Sequence, residues 1–505
     1  MLIAVAALSI QVYAEDSVPS VTDLPFNSGE KNEDDDTIEI VIPEVEPSNT
    51  LPVLYIETEG HAPVDQKEIY IAAKAWLDAS MTEEYESLGS AEEPLDLGIR
   101  GRGNASWTAY KKPYKLKFDK KQEILGNAKN KHYALLHYIG GYTSYFSEPL
   151  GFELGKRLGL AWTPNVLPVE VVLNGDYIGL YFLAETIRVD KNRVNITEQE
   201  DECTDPELVS TGWLVEIDNY ADENQIVLYE PNGTKLRLTF DTPEVLSELQ
   251  LDYITNQFER LIDAVHNPDK NSDEWLEYID AESCAKVYIV NELIRNYDAY
   301  NGSFYMHKDD GDIWTFGPLW DLGYSLDKVA TTSIMDELPP TSVPKLMPEI
   351  LKYPKFIDIT KDVWTKFYEE QGIDWVDNFV TDWLNRISQA VERDVERWPG
   401  LARRDVASPA SAAAYFIKGN AAWFDDYIKT LYVSSKLVEN IEVDALSVSV
   451  VGLDVYVNCF DGNLITVYDT LGRKLVTTTT SHFILPAKGV YIIVCGAHTA
   501  KITAK

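Results

Sequence analysis

The sequence predicts an α+β fold, β-rich in its first part, helical further on, and closed by a small C-terminal β-sandwich. Three observations carry this. From Leu51, short alternating apolar runs are bounded by turn residues; between about 244 and 432, apolar residues recur at helical spacing; beyond about Val438, short strands return. A chain of 505 residues exceeds one ordinary core, and a large domain over 51–435 followed by a small one over 436–505 accommodates it.

In chain order, MLIAVAALSIQVYAED gives an apolar run ending in Val12-Tyr13-Ala14, a small-residue cleavage pattern. We read residues 1–14 as a signal peptide lacking the usual basic start, with an ordinary buried N-terminal segment as the alternative. No run is long and apolar enough to span a bilayer, so a secreted or cell-surface protein with no transmembrane segment is expected. Residues 15–50, with Glu33-Asp34-Asp35-Asp36, hold little to bury and read as an acidic disordered linker. LPVLYIET, EIYIAAKAWL, DLGIRGRGN and YKLKF then read as strands. YFSEPLGFELGKRLGL has mostly helical spacing, and two strands flank Asn174-Gly175, which predicts a hairpin against a helix. Helices are expected over 244–265, 281–297, about 360–397 and 412–432, making the second half of this domain helical. LDVYVNCF, LITVYD, KLVTTT, HFILP and VYIIVCG build the final sandwich.

Composition narrows the function. There are 82 acidic against 44 basic residues, a net charge of -38, which opposes phosphate backbones and anionic membranes and excludes nucleic acid as the expected partner. Cys203, Cys284, Cys459 and Cys495 form no C-x-x-C pair, which argues against a zinc or redox motif. For Cys459 and Cys495, a disulfide and two buried thiols both remain open.

The chemistry concentrates in NELIRNYDAYNGSFYMHKDDGDIWTFGPLWDLGYSLD, Asn291 to Asp327. A helix ending near Asp298, a hairpin with its tip at Asp309 to Asp312, and Trp320-Asp321-Leu322-Gly323 would return Asp321 beside Asp298 and Asn301. Phosphoryl transfer needs oxygen ligands for Mg²⁺, a carboxylate near the acceptor hydroxyl and cations on the phosphates. Asp-x-x-Asn, a hairpin and Asp-Leu-Gly supply the first two in the order protein kinases use. A helix-end Asp and a turn Asp would give the same letters without chemistry. Glu216 and Asp218, alternating on a strand, fit a structural ion pair, and His137 and His307 fit satisfied structural histidines.

IRGRGNASW, KKPYKLKF, LLHY, VVLNGDYIGLYFLAE, GWLVEID and PLWDLGYSLD, in this order from Ile99 to Asp327, resemble the CotH kinase family, and the likeness runs from about Leu51 to Leu431. The resemblance implies an atypical protein-kinase-like fold with a β-rich N-terminal lobe and a helical C-terminal lobe. It also implies binding of ATP and Mg²⁺ and phosphorylation of Ser or Thr on a protein substrate. On this likeness Asp298 is the catalytic Asp, Asn301 a metal-side ligand and Asp321 the metal-binding Asp. Lys115 or Lys117 faces the α/β-phosphates, with Glu185 as ion-pair partner, and Arg100 and Arg102 approach a phosphate or brace the site. One departure stands out: Ser147 falls where the family has an Arg entering the helix, which opens a second reading as a pseudokinase that binds or scaffolds partners. Separately, ITVYDTLGRKLV through LPAKGVYIIV and the basic end Lys501 to Lys505 resemble type IX secretion sorting domains, which implies export machinery as a partner.

Overall fold

The structure is a computed structural model. It describes residues 44–138, 141–218, 225–338, 344–402, 404–439, 446–459, 464–495 and 498–504. The signal-peptide reading and most of the acidic linker lie outside the described residues.

The chain is mixed α+β. Strands β1 (Val53–Thr58), β2 (Ile71–Asp78), β3 (Leu95–Gly101), β4 (Tyr114–Gln122), β5 (Asn130–Leu136), β6 (Val166–Leu173) and β7 (Asp176–Glu185) close a barrel in the order β1-β2-β3-β4-β5-β7-β6. Closure comes from the parallel pairing of β1 with β6, Val53 opposite Glu170, which joins residues far apart in sequence. Period-two alternation sends Leu97, Ile99, Leu116, Phe118, Tyr133, Leu135, Tyr181 and Leu183 into the barrel. It sends Ala134, Leu136, Leu180, Phe182 and Ala184 outward, into the larger core shared with the helices.

Helix α1 (Ser144–Arg157) separates β5 from β6. Pro149 sits inside it and has no N–H for the Tyr145 carbonyl. That carbonyl instead accepts from Trp383 Nε1 at 2.8 Å, which fixes α1 against a later helix.

The second half was expected to be helical, but it also holds a five-stranded sheet in the order β12-β11-β8-β10-β9. Its strands are β8 (Trp213–Ile217), β9 (Gln225–Tyr229), β10 (Lys235–Thr242), β11 (Phe304–Lys308) and β12 (Thr315–Phe316). Among the described residues the helices are α2 (Glu248–Val265), α3 (Ala281–Ile294), α4 (Ile334–Glu337), α5 (Met347–Ile350), α6 (Pro354–Glu370), α7 (Trp375–Arg397) and α8 (Ala407–Glu439). No helix among them is long and apolar enough to cross a membrane.

Helix α7 clamps the β6–β7 hairpin. Arg397 Nη2 meets Asp176 Oδ2 at 2.6 Å, Trp398 Nε1 donates to the Ile178 carbonyl at 2.9 Å, and buried Lys111 Nζ lies 2.5 Å from buried Asp394 Oδ1.

At the C-terminus, β13 (Leu446–Val451), β14 (Asp454–Cys459) and β17 (His482–Ile484) form one sheet. A second sheet comprises β15 (Ile465–Asp469), β16 (Lys474–Thr478), β18 (Gly489–Cys495) and β19 (His498–Ala504). The two share a core that includes Val455, Val467, Leu485 and Ile493. Cys495 is disulfide-bonded, whereas Cys203 and Cys284 are free thiols.

Candidate functional site

Helix α3 begins with Asp280 capping the Glu282 and Ser283 amides and ends at Ile294, four residues before Asp298. Arg295 closes it in the left-handed conformation. The chain then turns: the Asn301 amide donates to the Asp298 carbonyl at 3.1 Å, and Asn296 Oδ1 accepts from the Asp298 amide at 3.1 Å. After the β11–β12 hairpin the chain comes back alongside. The Tyr297 amide bonds the Tyr324 carbonyl at 3.3 Å and the Leu326 amide bonds the Ile294 carbonyl at 2.6 Å. These two bonds set Asp321 beside Asp298. Burial raises the Asp298 pKa above the usual carboxylate range, and the Asp321 charge raises it further. Asn301 is buried in the same turn.

The backbone here is unusual. Arg295, Tyr300, Ser303, Asp321 and Leu326 are all left-handed, five of the eleven non-glycine residues with positive φ among the described residues. Such conformations cost of order 1–3 kcal/mol each, and they persist only where surrounding structure enforces them.

A cluster of cations lies on the outer face of the barrel, and Arg102 joins it to this acidic end. On β3 and β4, Arg100 and Lys115 are directly opposed and point away from the barrel core. Burial, and then the charges of Arg188, Arg100 and Arg102, lower the Lys115 pKa to about 8, while Asp241 opposes them. His132, on β5, is lowered to about 3 by burial and then by Arg188, Lys115, Lys117 and Arg193, so it stays neutral. This concentration of positive charge is met on the protein side by one carboxylate, Asp241 of β10, beside Lys115 and Arg188. Arg100 Nε and Arg188 Nε are buried donors with no hydrogen-bond partner among the described residues. An orphaned buried donor of this kind asks for an acceptor.

The alternatives left open at the sequence level now separate. Lys115 is half-buried within the cluster, while Lys117 is exposed, its nearest ring being Tyr70 at 6.0 Å. Arg102 reaches toward the acidic end, its guanidinium 5.7 Å from the centre of Trp320, the residue before Asp321. Arg100 is held by the Lys67 carbonyl and the Tyr70 ring.

Glu185 does not pair with a β4 lysine. It shares a β7 face with Tyr181 and Leu183, on the barrel side, and its ion pair is with Arg193 at 3.7 Å. The residue level with Lys115 on the outer face is Ala184, reached through Ala134. Glu216, expected in a structural ion pair, has no ion pair among the described residues: it accepts from Tyr305 Oη at 2.7 Å, and burial, then Asp241 and Asp218, push it up to about 8. His307 is satisfied by the Gly317 carbonyl at 3.0 Å, and burial lowers His137 to about 3.

Ser147, where an Arg was expected, is fully buried and donates to the Thr143 carbonyl at 3.1 Å and the Ser325 carbonyl at 3.3 Å. That position therefore still ties α1 to the segment carrying Asp321, through a hydroxyl instead of a charge.

Two residues escaped the sequence reading. Arg188 follows β7 three residues after Glu185, and its only signal was a cation at a strand end. Glu148, next to Ser147, is buried with its carboxyl pushed up to about 8 by burial and then by Asp321, while Arg102 opposes the shift. Nothing in the sequence distinguished it from a surface helix residue.

Among the described residues no three His, Cys, Asp or Glu side chains are drawn together to cage a metal. The donors present at the acidic end are all oxygens, and one of them, Glu148 Oε1, is buried without a partner among the described residues. This donor set fits a hard cation that takes its remaining ligands from phosphates and water.

No curated protein matches the chain. The family described as CotH kinase protein matches residues 99–430, which include β3, β4, α1, both halves of the site and the helices behind it. A match over well over half of the sequence, with the acidic and cationic ends both inside it, makes this chain a member of the CotH kinase family.

Proposed function

We propose that the protein is an exported atypical kinase that transfers the γ-phosphoryl of ATP to Ser or Thr of a protein substrate. Family membership supports a kinase-like activity that uses ATP. The observation that carries the finer reading is an acidic pair, Asp298 beside Asp321, with Arg102 over Trp320 joining it to the cation cluster of Lys115, Arg100 and Arg188.

In this reading Lys115, Arg102 and Arg188 bind and orient the phosphates, and the low dielectric around half-buried Lys115 strengthens each contact. Asp298 accepts a hydrogen bond from the acceptor hydroxyl, aligns it for in-line attack and takes its proton as the new O–P bond forms and the bond from the γ-phosphorus to the bridging oxygen breaks, releasing ADP. Asp321 and Asn301 would hold Mg²⁺, which when bound neutralises charge on the phosphates. The left-handed turn at Asp321 and the paired backbone bonds to the Asp298 loop fix the separation of these groups before substrate arrives.

The test is Mg²⁺-dependent ATP binding, read as a rise in melting temperature, in the wild type and Lys115→Met. The wild type should be stabilised by nucleotide and the variant should lose most of that shift, since a phosphate-facing cation is removed. No shift in the wild type at millimolar ATP would refute the kinase reading. A shift without any labelled-phosphate transfer would favour the pseudokinase reading, which the Ser147 departure motivates.

Export is part of the proposal and rests on the apolar N-terminus and the sorting-domain likeness after Val438. Deleting the chain beyond Val438 should leave the protein inside the cell envelope. Normal surface delivery of the truncated protein, followed by fractionation and immunodetection, would contradict it.

A further inference from the structure

Glu148 lies in the second turn of α1, is 3% exposed, and presents Oε1 with no hydrogen-bond partner among the described residues. The charges it faces are Asp321 and Arg102, and the Leu322 amide and Tyr138 hydroxyl lie beside its carboxyl. Arg102, its guanidinium 5.7 Å from the centre of the Trp320 ring, offsets only part of this, since the Glu148 carboxyl stays raised to about 8. A buried carboxylate pressed against another costs free energy unless something positive shares it. One residue earlier, Ser147 ties the same helix to Ser325, four residues after Asp321.

We propose that Glu148 is a further oxygen donor to the divalent cation that accompanies the nucleotide, sharing that ion with Asp321. This rests on the nucleotide-binding reading above. The cation would complete its shell with phosphate oxygens and water, as Mg²⁺ does at nucleotide sites, in keeping with the lack of a three-residue protein cage among the described residues. Helix α1 then gains a direct role: it links the Thr143–Ser147–Ser325 hydroxyl contacts to the metal end and holds the Asp321 loop through Leu322.

The experiment uses the full chain with Mn²⁺ and a non-hydrolysable ATP analogue. Mn²⁺ affinity is read by electron paramagnetic resonance, and the melting temperature is read without metal. Glu148→Gln should weaken Mn²⁺ binding in the presence of nucleotide by at least about tenfold, and Glu148→Asp should stay within a few-fold of wild type. Without metal, Glu148→Gln should melt no lower than wild type, because Gln keeps the shape of the buried side chain and removes the cost of burying a carboxyl. Equal Mn²⁺ affinity in wild type and Glu148→Gln would overturn the inference and leave the kinase reading intact. A lower metal-free melting temperature for Glu148→Gln would mark a structural carboxylate and overturn it as well. Failure of the wild type to bind the analogue with any cation would overturn both.

Discussion

Asp298→Asn is expected to slow phosphoryl transfer to protein by roughly 10²- to 10⁴-fold, the contribution of a well-placed proton acceptor. The side chain keeps its shape, so the Asn296 contact to the residue 298 amide and the turn to Asn301 survive. What disappears is the charge that accepts the proton. Because burial and Asp321 already disfavour that charge, its removal should leave the metal-free protein at least as stable as wild type. Nucleotide affinity should change little, since the cations of β3, β4 and the segment after β7 are untouched. Initial rates with labelled ATP, measured beside melting curves, separate these effects. An unchanged rate would remove Asp298 from the chemistry, and a collapsed melting curve would show the residue to be structural.

The largest stability effect should come from the Lys111–Asp394 pair. Lys111 Nζ reaches Asp394 Oδ1 at 2.5 Å and the Leu180 carbonyl at 2.6 Å, and the Leu180 amide donates to the same aspartate at 2.9 Å. Both side chains are buried, and burial lowers the lysine's pKa and raises the aspartate's, so each charge survives there only because of the other. Gly179 makes the approach possible: at φ +102 it carries no Cβ, and one added there would lie 2.1 Å from Asp394 Oδ1. Lys111→Met or Asp394→Asn should therefore cost about 3–5 kcal/mol, because each strands a buried partner. That is a large share of the roughly 5–15 kcal/mol that holds an ordinary domain. Combining the two should cost less than their sum, although the Leu180 amide then loses its charged acceptor. Urea unfolding would check this. Single variants within about 0.5 kcal/mol of wild type would show that water reaches the pair and replaces the lost partner.

The same pair illustrates why some of the site could be read from sequence and some could not. Asp298, Asn301 and Asp321 were legible because they lie on one continuous segment whose helix, turn and hairpin have local signals. The order of those signals is enough to predict that the ends meet. Glu185 was misplaced for a specific reason. Residues 180–184 of β7 are apolar on both faces, one in the barrel and one in the helical core, so alternation carries no phase and the strand cannot say which way its last residue points. Lys115 and Lys117 have the same face, and only burial separates them. The hairpin of β11 and β12 and the strand carrying Glu216 were expected, but not their union in one sheet, because β8 pairs with β10 and β11 across long separations.

By itself, the sequence determined the mixed α+β class and the family, since both rest on local pattern and on motifs in order, and it put Asp298, Asn301 and Asp321 on one continuous segment. Tertiary structure alone decided which cations cluster together. It closed the barrel through the β1–β6 pairing, placed Lys115 and Arg188 in one cluster, turned Glu185 inward to Arg193, and brought Glu148 against Asp321. The physical reason is common to all of these. A side chain's partner is set by which face its strand or helix buries, and that is fixed only when distant segments pack.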